Sequence, residues 1–422
     1  MDIYNLVSFL GLFVLVAFAW ALSRQRRNVN FRCIAFGVGL QLVLGLLVFH
    51  APGSRDLFKW LNDAVLQLLS AAQKGQQFLF GTLADQKAME GAFGKDNGFV
   101  LAIQALPMII FFSALMGLLY YLRIMPLVIR GFAWVFTRLM RISGAESLCA
   151  ASNIFVGIES ATTVRPFLAG MTRSELCTIL TAGMATVASS TLAVYVGFLG
   201  KHIDGIAGHL ISASIMSAPA AIVMAKILYP EDGQPVTLGR SVRVQIERDS
   251  GWIESIVNGA MAGVKLVVGV CALLIAFLGL IALIDLALGG VGGWFGAELS
   301  LAKVLGYAFR PFAAAIGVPW ADSQLAGEML GLRSVGTEIP AYLQLKGAMD
   351  ANAFSHPRSP MVIAYALCGF AHVASLAIFV GGIAALVPER RRDLAAVGPR
   401  ALLAATLACL MTGAVAGTFF VK

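Results

Sequence analysis

Two glutamates of this chain stand in stretches whose other residues are mostly small or apolar. Glu159 lies in Val156-Gly157-Ile158-Glu159-Ser160-Ala161-Thr162-Thr163, and Glu338 in Gly336-Thr337-Glu338-Ile339-Pro340. A charged side chain at membrane depth costs at least about 2.5 kcal/mol on insertion scales, so those that persist usually line a polar pathway. Two carboxylates with helix ends nearby suit a neutral polar solute together with a coupling cation. Pairing with a structural cation such as Arg165 or Arg333 is the alternative for either one. Asn153, Thr186 and the backbone carbonyls near Val156 and Val187 offer the all-oxygen shell that a hard cation prefers, although Asn and Thr also join membrane helices by hydrogen bonds. His372 reads equally as a satisfied hydrogen-bonding residue and as a ligand or proton carrier. Phe370 can stack on a planar ring or pack in the core, and the Ser375 hydroxyl can meet another hydroxyl. Asp322 and Glu328 fit structural pairing better than chemistry. No phosphate loop, GxSxG, HExxH or metal-spaced Cys/His set is present, and no nucleophile and base pair can be assembled, so neither an enzyme nor an ATP-driven machine is indicated.

The elements that must position these residues are set by composition. The 422 residues are 59% hydrophobic and only 13% charged, with a mean hydropathy of +0.82, which excludes a water-soluble fold and predicts an all-α polytopic membrane protein with the lipid bilayer as its solvent. The net charge of +8 comes from arginines clustered in short loops between apolar runs, where the positive-inside rule accounts for them and nucleic acid is not needed as a partner. The six cysteines are scattered with no CxxC and read as packing residues. Eight runs are long enough to span: Ile3 to Leu22, Cys33 to Phe49, Phe99 to Leu122, Thr181 to Gly200, Gly205 to Leu228, Ile256 to Ile284, Met361 to Val387 and Ala401 to Val421. The first is read as a retained span rather than a signal peptide, because its positive charges follow it. Arg24, Arg26, Arg27 and Arg32, then Arg123, Arg130, Arg138 and Arg141, then Arg390 to Arg392, all fall inside if both termini lie outside the cytoplasm.

That parity holds only if two interrupted stretches, Gly144 to Arg173 and Gly306 to Pro357, do not cross. Each is expected to be a re-entrant hairpin, the first entering from inside and the second from outside. Leu57, Leu61, Val65, Leu68 and Ala72 recur at helical spacing, as an interfacial amphipathic helix or an ordinary loop helix would. Directly after each hairpin comes a copy of one motif, Gly183-Met184-Ala185-Thr186-Val187-Ala188-Ser189 and Gly369-Phe370-Ala371-His372-Val373-Ala374-Ser375, identical at five of seven positions. The topology gives the copies opposite orientation, and inverted repeats with interrupted helices are a signature of secondary transporters.

Taken together these segments resemble the concentrative nucleoside transporter family. The similarity runs in order through Gln77 to Gly81, Pro107 to Leu119, Ala151 to Gly157 with Val164-Arg165-Pro166-Phe167, Gly292 to Gly296, Gly317-Val318-Pro319-Trp320 and Ala366 to Ala371. The resemblance implies a homotrimer of eight-span protomers in the bacterial inner membrane, importing a nucleoside with sodium or, in some bacterial members, a proton, by an elevator-like movement. It implies scaffold helices with an interfacial helix over 1–122, a first transport repeat over 123–228, a loop and scaffold span over 229–290, and a second transport repeat over 291–422. Residue by residue, it implies that Glu159 serves the nucleobase side and Glu338 the ribose side, that Phe370 stacks and that Ser375 meets the ribose. Asn153 and Thr186, with the carbonyls of Val156 and Val187, match the sodium shell, and Thr191 matches a position lining the nucleobase pocket.

Two departures stand out against the family pattern. The familiar Gly-Gln-Thr-Glu is here Gly157-Ile158-Glu159, one residue shorter, so the Gln and Thr that would read a base edge have no counterpart. His372 replaces a ribose-binding Asn, and Thr337 replaces the Asn that usually precedes the second glutamate. The expected function is therefore cation-coupled nucleoside symport, sodium favoured and without a bound cofactor. The alternative is a proton-coupled carrier of a modified nucleoside or another ribose-like metabolite, with His372 or Glu159 taking the proton.

Overall fold

The computed structural model describes residues 2–94, 98–240, 242, 249–294 and 299–421, apart from the side chains of Ser54, Arg55, Ile158, Glu159, Gly292 and Trp294. The described chain is helical: α1 (Ile3–Ala21), α2 (Phe31–His50), α3 (Ser54–Phe80), α4 (Gln86–Phe93), α5 (Leu101–Gln104), α6 (Met108–Tyr121), α7 (Ile124–Met140), α8 (Gly144–Asn153), α9 (Arg165–Leu168), α10 (Arg173–Ala185), α11 (Ser189–Leu199), α12 (Ile206–Leu228), α13 (Trp252–Trp294), α14 (Leu301–Ala315), α15 (Ser323–Val335), α16 (Glu338–Asp350), α17 (Arg358–Leu367), α18 (Val373–Leu386) and α19 (Arg391–Phe419). Among the described residues, seven helical stretches are long and apolar enough to cross a membrane. The expected span Met361 to Val387 is absent from that count because its helix is cut between Leu367 and Val373. The expected span Thr181 to Gly200 is likewise divided, between Ala185 and Ser189, within the longer stretch Arg173–Leu199.

Burial separates the helices into two kinds. In their most apolar 18-residue windows, the stretches Arg173–Leu199 and Ile206–Leu228 have 94% and 89% of residues buried, whereas Trp252–Val291 has 11%. An apolar helix that the rest of its own chain leaves uncovered must face lipid or another chain. At 43 residues, α13 extends over roughly 65 Å, about twice the hydrocarbon core, so it tilts or projects beyond it. Its partner is α6. The two backbones meet at Gly117 and at the Gly259-x-x-x-Gly263 pair, where a Cβ on Gly259 would stand 2.5 Å from the Ser113 carbonyl oxygen, the small-residue crossing that membrane helices use.

α1 and α2 pack instead against α12 and α19. Arg358, buried on α17, fixes part of that join by donating to Asn5 Oδ1 (3.1 Å), Ser8 Oγ (2.9 Å), the Tyr4 carbonyl (3.1 Å) and the Gly417 carbonyl (2.8 Å). Such a cation is tolerable inside because neutral acceptors surround it.

The interrupted stretches resolve into short helices. Ser143 and Glu146 form a reciprocal cap that starts α8, which ends at Asn153 and passes through a 3-10 turn over Ile158–Val164 to α9. In the second stretch the helical pair is α15 and α16, joined at Gly336 and Thr337. The part before Ile316 is a separate amphipathic helix, α14, capped by the Asp285 carboxylate on the Leu301 N–H at 2.6 Å. Sequence boundaries at Gly306 and Pro357 were thus too wide, because Gly306 sits inside a helix whose glycine lets Glu328 of α15 lie close. The expected amphipathic pattern near Leu57 is part of the longer α3.

Candidate functional site

The two copies of the repeated motif are the two helix breaks, and they touch. A Cβ on Gly369 would stand 2.7 Å from the Ala185 carbonyl oxygen and 2.5 Å from Cys409 Sγ, and one on Gly183 would overlap the Phe379 ring of α18. Gly369 is therefore required by the crossing itself, since overlap with a carbonyl oxygen cannot be relieved by a rotamer change, whereas Gly183 meets only a side chain.

At the first break, α8 and α10 both end, so the negative ends of two helix dipoles and their released carbonyls come together. Ser214 of α12 donates toward the Ile154 carbonyl at 3.0 Å and the Val187 carbonyl at 3.4 Å, and the Ser189 N–H reaches the Phe155 carbonyl at 3.0 Å. Asn153 is buried, accepting from Ser160 Oγ at 2.8 Å and donating to the Cys149 carbonyl at 3.1 Å. Thr186 donates to the Ala182 carbonyl at 2.8 Å, which leaves its oxygen lone pairs free to accept. Of the expected cation donors, Asn153, Thr186 and Val187 are buried and Val156 is half-buried, all near two helix C-termini, a chemistry that fits a hard monovalent cation. Among the described residues no group of three or more His, Cys, Asp or Glu is arranged to hold a metal ion.

At the second break, His372 caps α18. Its Nδ1 accepts the Ser375 N–H at 3.1 Å, so the neutral ring carries its proton on Nε2. That nitrogen lies 3.1 Å from Glu338 Oε2, a contact without the geometry of a hydrogen bond. Tyr195 of α11 donates to Glu338 Oε1 at 2.7 Å and stacks on Tyr342 with ring centres 4.3 Å apart. Glu338 Oε2 and the Thr337 hydroxyl are buried with no hydrogen-bond partner in the protein. Buried polar atoms left unpaired are costly, and a ligand hydroxyl is the natural way to satisfy them. The Ser375 hydroxyl donates to the His372 carbonyl at 2.7 Å, closely approaches the Phe370 carbonyl and accepts the His372 N–H at 3.4 Å, so it keeps one acceptor lone pair for anything that arrives.

A cavity of about 390 Å³ opens between these breaks and the α6–α13 pair. Val156, Thr191, Glu338, Phe370, His372 and Ser375 all line it. Asn153, Thr186 and Val187 do not. The Glu159 side chain falls outside the described residues. Arg333 does not pair with Glu338 but donates to the Ala366 carbonyl at 2.7 Å. Asp322 accepts from the Ser355 N–H (2.8 Å) and the Ser359 hydroxyl (2.5 Å), and Glu328 from Gln324 (3.2 Å), each the structural partnership expected.

Several lining or supporting residues escaped the sequence reading. Tyr195 sits in an ordinary apolar run with nothing local to mark it. Ser214 lies in α12, and Ser113, Ser255 and Asn258 reach the cavity from α6 and α13. The Gly259-x-x-x-Gly263 spacing was the one available signal for that wall.

The fold and cavity define an all-helical membrane protein with a solute-sized site where two interrupted helices cross. Residues 10–83 and 209–417 match the N-terminal and C-terminal descriptions of the Na+ dependent nucleoside transporter family, and residues 102–202 match a gate described as nucleoside recognition. The chain is 37% identical to nucleoside permease NupC of Helicobacter pylori over 98% of both proteins. It is 37% identical to sodium/nucleoside cotransporter 1 of Rattus norvegicus over 99% of this chain but 64% of that relative, and it spans 58% of mouse solute carrier family 28 member 3. It superposes on the transporter CNTnw in an inward-facing substrate-bound state with a TM-score of 0.90, at 38% identity, covering 99% of this chain and 98% of the other. A variant of CNTnw in an outward-facing state gives a TM-score of 0.92 at 37% identity, covering 99% of each chain. The chain belongs to the concentrative, or Na+ dependent, nucleoside transporter family.

Proposed function

We propose that this chain imports nucleosides by secondary active symport, with sodium as the coupling ion. The observation that carries this reading is that Glu338 Oε2, met only by His372 Nε2, and the Thr337 hydroxyl are buried without a hydrogen-bond partner on residues that line a cavity built from both helix breaks. In this reading Glu338 and Ser375 accept from the ribose hydroxyls, and His372 donates through Nε2. Phe370 stacks on the base, Thr191 lines the base pocket, and Glu159 serves the base edge. Asn153 and Thr186, with the carbonyls of Val156 and Val187, hold the sodium ion, whose positive charge would offset the converging helix dipoles.

Eight crossings, with α8–α9 and α15–α16 as re-entrant hairpins and both termini outside the cytoplasm, accommodate every basic loop of a protein in the bacterial inner membrane. Transport follows if the body containing both breaks slides as an elevator against a stationary wall. By chain order the scaffold is 1–122 and 229–290, and the moving repeats are 123–228 and 291–422. Packing of α1 and α2 on α12 and α19 favours placing those two helices with the moving body, leaving α6 and α13 as the wall. The exposed apolar length of α13 suits the centre of a homotrimer.

The test is uptake of labelled uridine, adenosine and inosine by the purified protein in proteoliposomes, under a sodium gradient and separately under a proton gradient. Saturable uptake driven by sodium is expected. No uptake of any nucleoside by folded protein would overturn the substrate class. The contact of His372 with Glu338 supports one second reading, in which a proton on His372 replaces sodium and the cargo is a modified nucleoside or other ribose-like metabolite. Uptake driven by the proton gradient alone would select it. Asn153→Ala is expected to raise the sodium concentration for half-maximal uptake about tenfold with a smaller change in maximal rate, and an unchanged sodium response would remove Asn153 from the ion shell.

A further inference from the structure

We infer that the molecule carries a second binding site, for the phosphate headgroup of an anionic phospholipid, where the start of α2, the end of α7, the start of α8 and the end of α12 meet. A cavity of about 690 Å³ lies there, lined among others by Arg32, Trp134, Arg138, Arg141 and Leu238. It is separate from the cavity at the helix breaks and shares no residue with it.

Charge is the first reason. The other charged groups lining this cavity are Lys226, Glu146 and Glu231, and they satisfy one another, with Lys226 Nζ 2.5 Å from Glu146 Oε1 and 3.1 Å from Glu231 Oε2. That triad leaves one net negative charge against the three arginines, so the cavity is positive by two. Arg32, Arg138 and Arg141 have no carboxylate partner among the described residues. Arg32 lies over the Phe36 ring at 5.3 Å, which holds its guanidinium in place without neutralising it. Arg141 occupies a left-handed backbone conformation, φ 51°, which disfavours any side chain but glycine or asparagine. Three guanidinium forks, from the start of α2 and the end of α7, form the donor set that recognises a phosphate.

The rim argues for a lipid as the source of that phosphate. Trp134 is 61% exposed, Leu238 55% and the neighbouring Phe31 71%. Tryptophan at a membrane–water boundary sits at headgroup level, and α7 is amphipathic, with Ile124 and Leu127 exposed on its outer side. A soluble phosphate would use the arginines and gain nothing from this apolar rim. An acyl chain would cover it. Both arginine-bearing helix ends lie on the side the positive-inside rule assigns to the cytoplasm, where anionic headgroups concentrate.

The experiment uses the full chain purified in detergent. Its thermal unfolding midpoint is followed while phosphatidylglycerol, phosphatidylcholine or inorganic phosphate is added, and native mass spectrometry counts retained lipid. Phosphatidylglycerol is expected to raise the midpoint and remain bound, while the other two leave it unchanged. Each of Arg32→Gln, Arg138→Gln and Arg141→Gln is expected to weaken the apparent affinity about fivefold, the factor equivalent to about 1 kcal/mol per basic residue. Arg130→Gln, on α7 but outside the cavity, should behave as the parent. Equal stabilisation by phosphatidylglycerol and phosphatidylcholine, or an unchanged response in all three variants, would overturn the site. Stabilisation by millimolar inorganic phosphate equal to that by phosphatidylglycerol would overturn the lipid source.

Discussion

The break between α10 and α11 and the break between α17 and α18 are written in nearly the same seven residues, yet they present opposite chemistry. At the first, Thr186 turns its hydroxyl back onto its own helix and Val187 offers its carbonyl, so the break presents neutral oxygen lone pairs. At the second, His372 stands in the place of Thr186, caps α18 through Nδ1 and brings an N–H up to the Glu338 carboxylate. The shared glycine and small residues let the helices stop and cross. In the proposed reading, Thr186 at one break and His372 at the other are what suit the first to a cation and the second to a hydroxyl-rich solute. Duplicated backbone geometry therefore does not imply duplicated function.

The largest effect that would break this comparison is steric. Gly369→Ala forces a methyl against the Ala185 carbonyl and Cys409, and overpacking of this kind typically costs about 1–3 kcal/mol or more. A fall in the thermal unfolding midpoint with loss of uptake is expected, whereas Gly381→Ala, which meets nothing within 4 Å, should leave both unchanged. Next comes Glu338→Gln, which keeps the shape but removes a charged acceptor. A charge-assisted hydrogen bond contributes about 1.5–3 kcal/mol, so transport efficiency should fall roughly 10- to 100-fold with the assembly intact, and near-normal uptake would take Glu338 out of the site.

His372→Asn sharpens the comparison further. Asparagine also caps helices well, so stability should hold while substrate preference moves toward ordinary uridine or adenosine. Competition uptake among nucleosides checks this, and unaltered selectivity would leave His372 with its capping role alone. The smallest effect is expected from Tyr195→Phe, which removes the 2.7 Å bond to Glu338 Oε1 but keeps the ring stack on Tyr342. This bond positions Glu338 rather than touching the solute, so only part of the about 1.5–3 kcal/mol of a bond to a charged group should reach transport, and the concentration for half-maximal uptake should rise about fivefold with little change in the ion response.

Much of the site was legible because polar residues in an apolar chain are conspicuous. Glu338, His372, Phe370 and Ser375 were visible within one repeated motif and its facing stretch, and Thr191 through family resemblance. Tyr195 and Ser214 were not, since a lone Tyr or Ser in an apolar helix is common and their partners lie 143 and 27 to 60 residues away in the chain. The limits of α14 and α15 were also missed, because composition does not change where one helix ends and the next begins.

Composition and hydropathy by themselves determined that the chain is a helical membrane protein, and the order of its motifs determined its family. Those properties follow from solvent and local pattern, which depend on residue type alone. Which oxygens face the cavity, that the two breaks cross at Gly369 and Ala185, and that His372 meets Glu338 were decided only by tertiary structure. Each depends on the approach of segments distant in sequence, and distances of 2.7–3.1 Å between such segments are set by packing rather than by any local propensity.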